Sequence, residues 1–207
     1  MTKTGILFLL TCSALNYATS VVGNNVQRAD DACADPSLAV TFVQAYSTTL
    51  TSHNVNYRAD FVQADTIGTI DWQIQGEIFR AWKTPQPGTV SLYRMSIDTL
   101  ASDVILAVST TVNPPVVPGF PTNFGVVAYV YPTQVCGSVP LYQLGFSAKT
   151  DHWYTTDASE RDALVGFGWT NQGVIAYVLP LCDCCQGGGW AKRNVRAGQC
   201  MSVHPLH

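Results

Sequence analysis

Charge is scarce in this 207-residue chain. Only 12% of its residues are Asp, Glu, Lys or Arg, about half the share of an ordinary soluble domain. The formal net charge is −3. There is no basic stripe, so a nucleic-acid backbone has nothing to dock on. Beyond the N-terminus, no apolar run reaches the ~18 residues that a membrane-spanning helix needs. Catalytic signatures are missing as well. The chain has no Gly-X-Ser-X-Gly elbow, no His-Glu-X-X-His and no Gly-X4-Gly-Lys-Ser/Thr. These absences point away from an enzyme and imply no cofactor. Without an Asn-X-Ser/Thr sequon, no N-glycan is expected.

The N-terminus reads as a secretory signal over residues 1–20. Lys3 supplies the positive start, the run from Ile6 to Leu15 is apolar, and Ala18 and Ser20 suit the −3 and −1 cleavage positions. Its removal would take Lys3 and Cys12, leaving net charge −4 and six of the seven cysteines. The expected address is therefore extracellular, with no membrane contact after processing. About 185 mature residues suffice for one domain that buries about 70% of its unfolded surface.

A unit of about 49 residues occurs three times. GVIAYVLP at 173–180 matches GVVAYVYP at 125–132 and, more faintly, GEIFRAW at 76–82. At the other end of the unit, VPLYQ at 139–143 matches VSLYR at 90–94 and VTFVQ at 40–44. A period found at two separate places in one unit sets the architecture. The units are 40–89, 90–138 and 139–181, after a leader at 21–39 and before a Cys/Gly-rich tail at 182–207, which is expected to be poorly ordered unless disulfides tie it down.

Within the units, the segments starting at Val40, Val104 and Trp153 favour strands. Unit one carries a short helix near 58–65. Unit three carries another at 158–165, started by Asp157 with Glu160 three residues on and stopped by Gly166 and Gly168. Unit two replaces the helix with a loop holding Pro114, Pro115 and Pro118, which cannot continue one. The closing strand at 174–179 is apolar on both faces and should lie in the interior. The expected fold is mainly β: a pseudo-threefold repeat forming a β-trefoil-like closed body, with short helices in units one and three. The alternative is a small propeller-like repeat assembly.

Unit three resembles the repeat of a family of secreted proteins of unknown function, DUF5648. The typical unit reads P-L-Y-R, D-H-F-Y-T-T, a short A-E-R-D helix and a closing G-I-A-G-Y-V. The matching residues are Pro140-Leu141-Tyr142, Asp151-His152-Trp153-Tyr154-Thr155-Thr156, Glu160-Arg161-Asp162 and Gly173-Val174-Ile175-Ala176-Tyr177-Val178. Unit two carries Ser102-Asp103-Val104-Ile105 in place of the second motif, and unit one keeps His53 without the aromatic pair. The resemblance implies an accessory module of secreted bacterial and fungal proteins. It brings no catalytic residues, and its setting makes extracellular or cell-wall sugar the expected ligand.

The candidate ligand-binding residues are Asp151, His152, Trp153, Tyr154 and Asn171. An indole face can stack on the C–H groups of a sugar while Asp, His and Asn hydrogen-bond its hydroxyls. The competing reading makes them structural, with His152 bridging strands and Trp153 or Tyr154 in the core. Trp72 and Trp169, which match in position, read as packing residues, and Gln172 could join Asn171 in lining a pocket. His53 and His152 fall at equivalent places in different units and should not form a catalytic pair. Glu160, Arg161 and Asp162 suit a solvated first helical turn.

Six cysteines in a secreted chain argue for disulfides, with fifteen full pairings open. Cys33 and Cys136 sit at matching unit entrances and are the favoured pair. Closing a loop of roughly 100 residues gives about 4–5 kcal/mol in the chain-entropy model. Cys182, Cys184, Cys185 and Cys200 with His204 could be drawn as a zinc site, but in an oxidising compartment disulfides are favoured and no metal is expected. The reading is a secreted, non-catalytic carbohydrate-binding module. A structural or protein-interaction role without a small ligand, and a cryptic hydrolase, are the alternatives. Oligomeric state is left open by the sequence.

Overall fold

A computed structural model of the chain describes residues 33–68 and 70–181. The segment read as a signal sequence, the start of the expected leader and the tail with its four cysteines lie outside the described residues. Nine strands and two helices follow in order: β1 (Val40–Ser47), β2 (Ser52–Asn56), α1 (Arg58–Ile67), β3 (Trp72–Ala81), β4 (Val90–Ser96), β5 (Val104–Ser109), β6 (Thr122–Val130), β7 (Val139–Phe146), β8 (Asp151–Thr155), α2 (Ala158–Gly166) and β9 (Thr170–Val178). They form three antiparallel sheets of three strands, ordered β2-β1-β3, β5-β4-β6 and β8-β7-β9.

The first strand of each unit is the middle strand of its sheet, and this fixes its composition. A strand paired on both sides has no free edge and packs closely, so β-branched and aromatic residues suit it. Each pairing with the third strand carries two register shifts, at 42/43 and 44/45, 92/93 and 93/95, and 141/142 and 143/144. In the second and third sheets, Gly125 and Gly173 sit opposite these irregularities with φ of 91° and 101°. Their N–H groups are held by the side-chain oxygens of Asn123 and Asn171 at 2.7 and 2.9 Å. Such a bulge needs a residue at positive φ, and glycine takes it without strain.

The helices stand in units one and three, as expected. Asp157 starts α2 by accepting the Ser159 N–H at 2.8 Å. Gly168, with φ of 95°, follows its end.

Matching positions from the three units meet in one core. Phe42, Leu92 and Leu141 do so, as do Val55, Leu106 and Tyr154, then Phe79, Ala128 and Ala176, and finally Ala81, Val130 and Val178. None is more than 2% exposed. Volume is traded between units within this core: Phe79 stands where the other units have alanine, and Tyr154 where they have Val55 and Leu106. Close packing tolerates such exchanges while the total is conserved.

Isolated backbone bridges join the sheets at one end: Arg80 to Leu179, Trp82 to Tyr129, and Tyr131 to Tyr177. Beneath them Trp82, Tyr131, Leu179 and Ala34 form a second buried cluster. The leader closes this end. The Trp82 indole donates to the Asp35 carbonyl at 2.7 Å, and the Ala34 N–H donates to the Tyr131 hydroxyl at 2.8 Å. The disulfide Cys33–Cys136, with its Cα atoms 5.7 Å apart, staples the leader to the junction of units two and three.

Two expectations need correction. Among the described residues no barrel closes; the sheets remain separate and meet through side chains and the three bridges. The closing strand β9 is at the edge of its sheet. Ala176 and Val178 are buried, but Val174 is 42% exposed. Its apolar run reflects burial of one end only, since Thr170, Asn171, Gln172 and Val174 are exposed.

Candidate functional site

The hairpin joining the first two strands of each unit sets up the junctions. Thr51, Ala101 and Thr150, just before or near the start of the second strands, all have positive φ, at 53°, 63° and 49°. Strand register then places Asp151 and Ser52 opposite the ends of β7 and β1, with His152 and His53 one residue further on. In the second unit Val104 occupies the histidine position and Asp103 precedes it.

Each aspartate reaches out of its own unit. Asp151 accepts two bonds from His53 of unit one, from the backbone N–H and from Nδ1, both at 2.7 Å. Asp103 of unit two accepts from Nδ1 of His152 in unit three at 2.8 Å. All four side chains are buried. A buried carboxylate is costly unless it is hydrogen-bonded, and here the cost is offset by a donor from the next unit. At the third junction Ser52 and Val104 occupy the equivalent places, and no such clamp exists there.

The His152 clamp extends into a chain of bonds running in one direction. The Leu106 N–H donates to the Tyr154 hydroxyl at 2.8 Å, and that hydroxyl donates to Gln143 Oε1 at 3.2 Å. Gln143 Nε2 donates to Gln172 Oε1 at 2.5 Å, and Gln172 Nε2 to His152 Nε2 at 3.3 Å. His152 Nδ1–H completes the chain on Asp103. The Nδ1–H tautomer uses both ring nitrogens, and aligned bonds of this kind polarise one another. Burial pushes the Tyr154 phenol far above its usual range.

His152 and Gln172 face a cleft of about 460 Å³ between units two and three. Phe120 and Phe146 wall it, and Thr150 and Thr170 lie at its rim. Phe120 stands edge-on to His152, with ring centroids 5.7 Å apart, and Phe146 stacks on Trp169 at 5.2 Å. Gly145 forms part of the floor. A Cβ there would lie 2.4 Å from Gln172 Nε2, so only glycine leaves room for the Gln172–His152 contact.

The sequence-derived candidates divide accordingly. Asp151 and His152 line this cleft, but their main bonds are between units. Tyr154 is sealed in the core, 1% exposed, and offers no surface to a ligand. Asn171 is exposed, and its side-chain oxygen is spent on the bulge at Gly173. Trp153 is half-buried, edge-on to His53 at 4.7 Å and to Trp169 at 6.1 Å. Its Nε1 and the Nε2 of His53 are buried without a hydrogen-bond partner among the described residues. Trp72 packs on Phe61 at 5.4 Å. Gly145, Phe120 and Asp103 had no place in the sequence-based site. Asp103 alone left a signal, as the aspartate kept where the following histidine is lost.

His152 Nε2 meets an amide, His53 Nε2 meets nothing, and no Ser, Thr or Cys side chain bonds either among the described residues. No group of three or more His, Cys, Asp or Glu suited to a metal ion occurs among the described residues, and no helix there is long and apolar enough to cross a membrane.

The fold and its junctions define a mainly β, disulfide-stapled protein of three sheets clamped together by buried aspartate–histidine contacts. The chain belongs to the family described as domain of unknown function DUF5648, whose model matches residues 41–179. No curated protein and no solved structure matches it.

Proposed function

We propose that the chain is a secreted, non-catalytic module that binds neutral carbohydrate in the cleft between units two and three. The observation that carries this is the pairing of two phenyl walls, Phe120 and Phe146, with a fixed polar group, Gln172, held in place by the His152 chain. Apolar faces with a few placed polar groups suit the C–H and O–H surfaces of a sugar ring. The carboxylates nearby, Asp103 and Asp151, are already occupied by imidazoles, which favours an uncharged ligand. The disulfide fits an oxidising compartment. We further infer that the three units stand about a pseudo-threefold axis in a trefoil-like or propeller-like arrangement, a reading supported by the cyclic order of the three bridges.

The test is a glycan array followed by titration of the retained sugars, with Phe146→Ala and Gln172→Ala as variants. Each variant should weaken binding at least tenfold while lowering the melting temperature by only a few degrees. A wild-type protein that retains no neutral glycan would sink the proposal, and release of reducing ends would turn it toward a hydrolase.

One feature favours the protein-interaction reading. Val112 and Val116, on the proline-rich loop of unit two, are 94% and 97% exposed. A silent array, together with self-association that Val116→Asp abolishes in sedimentation, would favour that reading.

A further inference from the structure

The junction without an aspartate–histidine clamp, between units one and two, holds a different chemistry. A cleft of about 290 Å³ there is lined by Asn54, Asp60 and Trp72 from unit one and by Arg94 and Phe124 from unit two. Arg94 occupies the fifth position of β4, the place taken by Gln44 in β1 and Gln143 in β7. Both glutamines are buried and hydrogen-bonded: Gln44 accepts the Tyr154 N–H at 3.0 Å, and Gln143 belongs to the His152 chain. Unit two instead places a cation at this position.

The guanidinium is partly buried and lies over the Phe124 ring, 5.2 Å from its centroid. Among the described residues no carboxylate or carbonyl accepts a hydrogen bond from it. Burial lowers its pKa, and the nearby Asp60 opposes that shift without forming an ion pair. Five N–H donors in a fork without an acceptor match a planar oxyanion.

Asn54 adds an independent requirement. It is 5% exposed, and its Oδ1 is buried with no hydrogen-bond partner. That oxygen only accepts, and a small turn of the amide toward the cleft would bring it to a ligand's O–H or N–H. Asp60, exposed on the first turn of α1, also accepts only. One compact ligand meeting these demands carries a carboxylate for Arg94 and hydroxyls for Asn54 and Asp60. The cleft is near the lower size limit of small-ligand sites, about 300 Å³, which suits a single ring with Trp72 as its apolar neighbour.

We propose that this cleft is a binding site for an acidic sugar, a uronate, whose carboxylate pairs with Arg94 and whose hydroxyls donate to Asn54 Oδ1 and Asp60. The site is separate from the neutral-sugar cleft, and each can fail without the other.

Titration of the full secreted chain by NMR tests it, with galacturonate and glucuronate compared with galactose, glucose and acetate. The uronates should shift the side-chain resonances of Arg94 and Asn54 and bind at least tenfold more tightly than the neutral sugars or acetate. Their affinity should fall as salt rises. Arg94→Gln, which copies units one and three, should weaken uronate binding at least tenfold and leave sugar binding at Phe146 unchanged. Equal binding of uronate and neutral sugar, or an undiminished R94Q, would overturn the assignment. So would an absence of any shift at Arg94 and Asn54.

Discussion

His53 of the first unit is gripped by Asp151 of the third, 98 positions away, through its backbone N–H and its Nδ1, each at 2.7 Å. Two bonds on one buried carboxylate make this a polar tie between the ends of the repeat array. Removing one partner strands the other. Asp151→Ala should therefore cost about 3 kcal/mol or more in urea unfolding. Asp162→Ala, on an exposed helical turn, should change stability by less than about 0.5 kcal/mol. A cycle combining His53→Ala with Asp151→Ala should show strong coupling. Additive losses would mean that the contact does not hold the units together.

Gly145 is a second point of leverage. Its new Cβ in Gly145→Ala would meet the flexible end of Gln172, which can swing toward solvent. The expected stability loss is about 1 kcal/mol, the worth of one hydrogen bond. Neutral-sugar affinity should fall at least tenfold, because Gln172 leaves its place. Unchanged affinity would separate Gln172 from binding.

Asp71 ties the turn after β1. Its carboxylate accepts from Thr48 Oγ1, from Ser47 Oγ at 2.7 Å and from the Thr49 N–H at 3.2 Å. Those bonds hold its pKa well below the ordinary 3.8, the Thr48 hydroxyl first. A carboxyl lowered in the folded state adds stability above its unfolded value and loses it as pH falls toward the folded one. Wild type should therefore be more stable than Asp71→Asn at pH 6, and the gap should close progressively below about pH 4. Melting curves from pH 7 to pH 2 measure this, and a gap that widens in acid would refute it.

Cys33–Cys136 closes a loop of sequence separation 103. The chain-entropy model gives about 4–5 kcal/mol for such a loop, and measured bridges commonly contribute about 2–4 kcal/mol. Reduction, or Cys136→Ser, should lower the melting temperature by about 10 °C at this chain length. It should also expose the Trp82 and Tyr131 cluster under the leader, which tryptophan fluorescence would register. A shift below about 2 °C would show that the leader is held by its hydrogen bonds alone.

The repeat period settled which residues open the first strand of each unit, and local cap and breaker residues marked where the two helices stand. Burial on one face is a local requirement that each copy must meet, so it leaves a periodic trace. The Cys33–Cys136 pairing was legible because both cysteines lie at unit entrances. Tertiary structure alone decided the contacts between units. Asp151 is next to His152 in the chain yet binds His53, because adjacent strand residues point to opposite faces and so toward different neighbours. Tyr154, read as a ligand contact, shares the His152 face of β8 but lies deeper, in the core, while Gln172 and Gly145 shape a cleft. Arg94 was visible as the one charge at a glutamine position, but only the packed junction shows that no acceptor among the described residues meets it.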